Sequence, residues 1–220
     1  MPERPWWQYL LGAVIIGAIG AGVGYAIGAP SREDAERIRK RNEREGLLKS
    51  KKVVVPTAAL DKTETGRILY AEAVGGYLSS IPNGAFDNIM KVLEITLRKK
   101  YEEMTNKPTP THLPLENLID AAEKYLKDSK DLAQSFRIKR KNIHFDKQTS
   151  ELYTLDAIFH ISNMLNLVYP YESTVCFYAC PACHMQERIN VRKEDNYLGN
   201  VLNLRCANNN QASISVVINQ

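Results

Sequence analysis

A chain of 220 residues is long enough for one domain with a substantial hydrophobic core and one small module, but not for two large domains. With 44% hydrophobic and 25% charged residues, its composition is not that of a disordered chain. The net charge of +4 is mild, so the placement of the charges matters more than their sum.

The first predicted element is an uncharged segment from Tyr9 to Ala29. A helix of this length rises roughly 30 Å, which matches the hydrocarbon thickness of a bilayer. Trp6 and Trp7 stand at one edge, where aromatic rings favour the headgroup level. The segment predicts a transmembrane anchor over residues 1–30, so the membrane is the first predicted partner. A cleaved signal peptide and a buried core helix are the alternatives.

The flanks of this segment predict its orientation. One basic side chain, Arg4, precedes the segment, whereas many follow it: Arg32, Arg37, Arg39, Lys40, Arg41 and Arg44. The positive-inside rule then places the N-terminus outside and the bulk of the chain in the cytoplasm, as a single-pass protein. That reducing compartment favours metal binding over disulfides for the cysteines.

Glycines recur every four residues within the predicted anchor, at Gly20, Gly24 and Gly28. Small residues at this spacing let two helix backbones approach closely. We therefore expect helix packing here, either as homo-oligomer contacts or against another membrane helix. The alternative is that glycine is simply common in membrane spans.

Residues 31–62 are predicted to form a charged juxtamembrane helix and a linker. Ser31 is a suitable N-cap, and the acidic residues Glu33 and Asp34 lie in the first turn, where the helix dipole favours them. The helix is polar on nearly all sides, which is typical of a solvated stalk, although its basic residues could also contact anionic lipid. Gly46 is expected to end it.

Residues 63–170 show a helical pattern and predict an antiparallel bundle. Apolar residues such as Phe86, Ile89 and Leu93 recur at spacings of three and four, which places them on one helix face. Three prolines predict a loop over residues 107–114. The predicted helices are Thr63–Ile81, a helix carrying Phe86 through Met104, Leu115–Leu126, Ser129–Asn142, and a last helix opened by Thr149-Ser150-Glu151 and ended by Pro170.

A basic segment, Phe136 to Phe145, stands between the last two predicted helices. This order resembles the HEPN superfamily over roughly residues 64–170: a long helix with Glu72-Ala-Val-Gly-Gly-Tyr77, Leu93-Glu94 in the middle of the next helix, a basic turn ending in His, and a final amphipathic helix. Similar proteins include metal-independent endoribonucleases that act as dimers and carry Arg, four to six residues, then His. The resemblance implies that role for Arg137 and His144, which have six residues between them.

The chemistry of RNA cleavage is consistent with these side chains. It requires a base with a pKa near neutrality and a cation to stabilise the phosphorane charge. Arg137 and His144 share a helix face if the helix persists that far. Neighbouring polar side chains are candidates for nucleic-acid or anion binding: Lys139, Arg140, Lys141 and Asn142. The alternative is a solvated basic edge, with His144 at a helix C-terminus.

Residues 171–220 contain every cysteine of the chain and resemble a zinc ribbon. Strands are predicted at Thr174–Ala179, Glu187–Val191, Val201–Arg205 and Ser213–Ile218, and the second and third are expected to pair as a hairpin. The predicted ligands of a structural Zn²⁺ are Cys176, Cys180, Cys183 and Cys206, with His184 or no residue as alternatives to Cys176. A ribbon that has lost its metal, with its cysteines packed as apolar groups, is the other interpretation.

The predicted fold class is therefore mainly α, with a single transmembrane helix, an antiparallel HEPN-like bundle and a small C-terminal β module. The first functional hypothesis is a membrane-anchored binding or scaffold protein that faces the cytoplasm and recruits protein or nucleic acid, with RNA as a possible partner. The alternatives are a membrane-tethered endoribonuclease and a structural subunit of a membrane assembly. The sequence has no Gly-rich phosphate loop, no paired-carboxylate motif and no Ser/Cys–His nucleophile arrangement, and no small-molecule substrate is evident.

Overall fold

The computed structural model describes residues 31–143, 149–180, 183, 185–206 and 213–218. Helices precede a small β part in this portion of the chain. The helices are α1 (Arg32–Ser50), α2 (Thr57–Leu60), α3 (Glu64–Leu78), α4 (Pro82–Thr105), α5 (Leu115–Ala121), α6 (Glu123–Leu126), α7 (Lys130–Ile143) and α8 (Glu151–Val168). The strands are β1 (Ser173–Ala179), β2 (Gln186–Arg192), β3 (Val201–Arg205) and β4 (Ser213–Val217).

A mainly helical chain with a small C-terminal β part is confirmed, but the membrane-spanning part of the predicted fold class is wrong for the residues that the structure describes. Among them, no helix combines the length and the apolar character that crossing a bilayer requires. The predicted single-pass localisation is corrected on the same finding. The segment from Tyr9 to Ala29, with its packing glycines Gly20, Gly24 and Gly28, lies outside the described residues.

The chain divides into two compact units. The helical unit comprises Val53–Glu172. The second unit, called here the β unit, joins the described part of Met1–Lys52 to the described part of Ser173–Gln220. Helix α1 therefore belongs to the same unit as the strands.

Local signals in the sequence account for the helix boundaries of the helical unit. Thr63 caps α3, where its hydroxyl accepts a hydrogen bond of 3.0 Å from the backbone N–H of Gly66. Ser150 caps α8 in the same way, accepting from the N–H of Tyr153 at 3.1 Å. Pro82 occupies the first turn of α4, where its missing N–H and fixed φ do no harm. The predicted helices at these positions are confirmed.

The core of the helical unit lies between α3, α4 and α8, which pack against one another. Each fully buried Leu or Ile side chain contributes roughly 1.5–3 kcal/mol to folding, so these helices supply most of the apolar stabilisation. The largest fully buried side chains on them are Tyr70, Tyr77, Phe86, Ile89, Met90, Leu93, Leu97, Leu155 and Ile158.

Helix α1 runs through Gly46 to Ser50, so the predicted end at Gly46 is wrong. A lone glycine inside a helix costs only about 1 kcal/mol relative to alanine. The following turn buries Leu48, which is 3% exposed, and that burial outweighs the cost. The side-chain hydroxyl of Ser50 then donates to the carbonyl of Leu47 at 2.8 Å, within the last turn of the helix.

The strands form two antiparallel pairs, β1 with β2 and β3 with β4, so the predicted hairpin of the second and third strands is wrong. Directly after β1, the N–H of Cys180 donates to the carbonyl of Met185, the residue before β2, at 2.9 Å. After β2, a 3-10 turn at Lys193–Asp195 and Gly199, with φ of +75°, redirect the chain.

Candidate metal centre and the basic helix

Four side chains of the β unit bring potential metal ligands together: Cys180, Cys183, Glu187 and Cys206. Their sulfur and carboxylate oxygen atoms all lie within 4.8 Å of one another. Cys180 directly follows β1, Glu187 is the second residue of β2, and Cys206 directly follows β3. Both hairpins therefore contribute to one group that could hold a metal ion.

The geometry of the sulfur atoms suits a shared ion. The Sγ atoms of Cys183 and Cys206 are 3.5 Å apart. Thiolates that bind one tetrahedral ion at about 2.3 Å lie roughly 3.8 Å from each other, so little movement would be needed. Cys180 and Cys206 are fully buried and form a small apolar cluster with Tyr178.

Tyr178 orients the carboxylate of the group. Its hydroxyl donates to Oε2 of Glu187 at 2.6 Å, while Sγ of Cys183 lies 3.9 Å from Oε1 of the same side chain. Burial raises the pKa of Tyr178, and the hydrogen bond with Glu187 raises it further, because a phenolate there would face a carboxylate. The phenol therefore keeps its proton and donates a hydrogen bond to one carboxylate oxygen, while the other oxygen lies near the thiol of Cys183.

Cys176 is not part of this group. It pairs with Ile189 within the continuous strand β1, four residues before Cys180. At about 3.3 Å per residue this separation is roughly 13 Å, which is too far for both sulfurs to reach one ion. Burial raises the pKa of the Cys176 thiol, which favours the neutral form. His184, the other predicted candidate, lies outside the described residues.

Glu187 is the ligand candidate that sequence reasoning missed. The signal that marks it is the β1–β2 register, in which Glu187 lies directly opposite Tyr178, a pairing that was not predicted from the sequence. Opposite residues of an antiparallel pair point to the same face. Because Tyr178 lies on the buried face of the hairpin, Glu187 opposite it points to the same face.

The basic segment predicted to bind anions lies at the end of α7, where its two arginines are engaged in ion pairs. Arg140 donates from Nε to Oδ1 of Asp87 at 2.8 Å and from Nη1 to Oε2 of Glu94 at 3.2 Å, both on α4. Arg137 donates from Nε to Gln134 at 2.8 Å, and its Nη1 lies 3.2 Å from Oε2 of Glu116. The arginines tie α7 to its neighbours.

The electrostatics of Asp87 reflect this arrangement. Burial alone would raise its pKa, but hydrogen bonds from Lys91 and Arg140 outweigh that effect, so the pKa of Asp87 lies below its ordinary value. The carboxylate is therefore ionised at neutral pH and holds the guanidinium of Arg140. An added phosphate would have to compete with it.

The remaining residues of the segment are more accessible. The ammonium of Lys139 lies 5.6 Å from the centre of the Tyr153 ring, and Lys141 and Asn142 are exposed. His144 lies outside the described residues, so its geometry with Arg137 is not defined and the catalytic pair stays a prediction.

Comparison of the chain with family models, with curated proteins and with solved structures found no match. At a coarse level, a mainly helical chain followed by a small β part with a cysteine cluster is compatible with the resemblance drawn from the sequence. Membership of the HEPN superfamily stays a prediction.

Proposed function

We propose that this chain is a binding protein whose β unit is held together by one structural zinc ion. The observation that carries the proposal is the convergence of Cys180, Cys183, Glu187 and Cys206 within 4.8 Å. These donors come from both hairpins, and the β unit has a small apolar core centred on Tyr178, Cys180 and Cys206. A domain with so little core needs a metal or another cross-link to be stable.

The donor set favours zinc. Thiolates select soft or borderline ions, and a site with several thiolates and one further protein ligand suits tetrahedral Zn²⁺. A group in which the protein supplies all of the ligands leaves no open position for water or substrate. Such a site would be structural rather than catalytic.

Binding fits the described surface better than catalysis does. Large apolar side chains stand exposed around the first hairpin: Val175 is 48%, Phe177 43% and Met185 58% exposed. Exposed apolar groups clustered on one element are typical of contact surfaces. In contrast, Arg137 and Arg140 are already paired with carboxylates, which weakens the case for a phosphate-cleaving centre at the end of α7.

Metal analysis of the full-length chain tests the proposal. We expect about one zinc ion per chain after purification without added metal, measured by inductively coupled plasma mass spectrometry. Cys183→Ser should lose the metal, because serine is a poor zinc ligand. Cys176→Ser is the matched control, since Cys176 stands in the same unit but outside the donor group, and this variant should keep its metal.

Two results would overturn the proposal. One is a wild-type chain that binds no metal at micromolar zinc. The other is equal metal loss in Cys176→Ser and Cys183→Ser, which would show that the convergent group is not the site. Iron in place of zinc would preserve the donor group and refute the identity of the ion.

A further inference from the structure

The β1–β2 hairpin has two faces of different character. Residues that lie directly opposite in an antiparallel pair point to the same side, and successive pairs alternate. The inner face carries Tyr178, Glu187 and the buried Val191. The other face, called here the outer face, consists of exposed residues: Ser173, Val175 and Phe177 on β1, and Gln186, Arg188, Asn190 and Arg192 on β2.

The only charges on the outer face are positive. No aspartate or glutamate stands at any of its described positions, because the one acidic residue of β2, Glu187, points inward to Tyr178. Arg188 and Arg192 lie on the same strand, four residues or roughly 13 Å apart. Phe177 pairs directly with Arg188, so an exposed aromatic ring and a guanidinium share one patch.

A nearby carboxylate does not neutralise this patch. Glu194 follows β2 and places Oε1 3.8 Å from Nη1 of Arg192, but the two side chains are 67% and 77% exposed. An ion pair in that setting contributes about 0–1 kcal/mol at most, so a phosphate can replace it. The patch as a whole is complementary to a polyanion with flat, apolar groups.

We propose that the outer face of the β1–β2 hairpin binds single-stranded nucleic acid. An unpaired base stacks on Phe177 and contacts Val175, while Arg188 and Arg192 contact the phosphates on either side. Duplexes keep their bases stacked internally and cannot offer a ring to Phe177. This inference rests on the proposed function, because the zinc ion would stabilise the β1–β2 hairpin that carries the outer face.

Fluorescence anisotropy of the full-length chain with a fluorescein-labelled, mixed-sequence single-stranded RNA tests the inference. The same RNA annealed to its complement is the second ligand. We expect tighter binding to the single strand. Phe177→Ala should weaken it by about 5- to 150-fold, the range for losing one base–aromatic stack, and Phe177→Trp should restore it.

The contributions of Arg188 and Arg192 should be visible in the salt dependence of the RNA affinity. Because each phosphate contact releases counterions, Arg188→Ala and Arg192→Ala should each lower the slope of log affinity against log salt by about one. Arg205→Ala is the matched control, since Arg205 is exposed on β3 of the same unit but lies outside the outer face. Its affinity and slope should equal those of the wild type.

Metal content measured on the same samples separates the two proposals. A chain that holds zinc but binds no RNA, or binds it equally well without Phe177, overturns the nucleic-acid inference and leaves the metal site standing. Sedimentation of the zinc-bound wild type and of Phe177→Ala tests for self-association. If the wild type self-associates and Phe177→Ala does not, the patch is a protein contact, and the nucleic-acid inference is overturned. A chain that holds no metal but still binds the single strand through Phe177 overturns the proposed function alone.

Discussion

Replacing Arg140 by methionine should destabilise the helical unit by about 2 kcal/mol. Methionine keeps an apolar stem in place but removes the charge-assisted hydrogen bonds to Asp87 and Glu94, each worth about 1.5–3 kcal/mol in general. The three side chains are 20%, 26% and 27% exposed, and solvent screens their charges, so we use about 1 kcal/mol for each of the two bonds and about 2 kcal/mol in total. Neither carboxylate is left alone: Lys91 stays 2.7 Å from Asp87, and Arg98 stays 3.0 Å from Glu94.

The matched control is Arg137→Met on the same helix. Its acidic partner, Glu116, is 53% exposed, and an ion pair of that kind contributes about 1 kcal/mol or less. Urea unfolding of each full-length variant, followed by far-UV circular dichroism, gives the comparison. We expect the midpoint of Arg140→Met to fall by roughly 1 M at an unchanged m value, and that of Arg137→Met to fall by less than half as much. Equal shifts would refute the reasoning.

The effect of Arg140→Met should also depend on pH. Because the folded-state pKa of Asp87 is lowered from 3.8, its ionised form contributes stability above the unfolded pKa and loses it as pH falls through the folded value. The difference between wild type and Arg140→Met should therefore be constant above about pH 5 and shrink towards zero in stronger acid. A difference that persists unchanged at pH 2 would assign the effect to packing instead.

Two further pairs of substitutions test the packing of the helical unit by the same unfolding measurement. Gly75→Ala should stabilise α3 by about 0.5–1 kcal/mol, because nothing lies within 4 Å of the added methyl group; Gly76→Ala should gain less or lose stability, since its methyl would lie 3.3 Å from Cβ of Ala85. Tyr70→Phe should cost about 1–3 kcal/mol, because it leaves the buried hydroxyl of Ser162, now 2.7 Å from the phenol oxygen, without its partner. Adding Ser162→Ala should recover part of that loss.

The helices of the chain could be predicted because their signals are local. Hydroxyl side chains such as Thr63 and Ser150 cap the helices that follow them, and apolar residues spaced by three and four mark the buried faces. Gly46 shows the limit of such signals. Gly46 favours the end of a helix locally, but the helix continues because the next turn buries Leu48. That burial depends on tertiary contacts and not on the local sequence.

The role of Arg140 could not be predicted, because its partners are distant in sequence. The carboxylates that hold Arg140 stand 53 and 46 residues earlier in the chain. From sequence alone, a basic segment predicts an anion-binding surface, because acidic side chains that the fold brings beside it are not visible in the local sequence. The same non-locality explains the strand error. The predicted hairpin paired the second strand with the third, whereas the structure pairs β1 with β2 and β3 with β4.

The fourth member of the candidate metal group follows from strand register and not from cysteine spacing. Counting along the chain suggested Cys176 as a ligand, because it is the nearest remaining thiol to Cys180. In a continuous strand, however, four residues separate two side chains by roughly 13 Å along the same face. Pairing across the strands brings residues much closer, and the register that sets Tyr178 opposite Glu187 carries a carboxylate to the thiols. When a ribbon lacks a cysteine, the search for its replacement should therefore cross the hairpin rather than follow the strand.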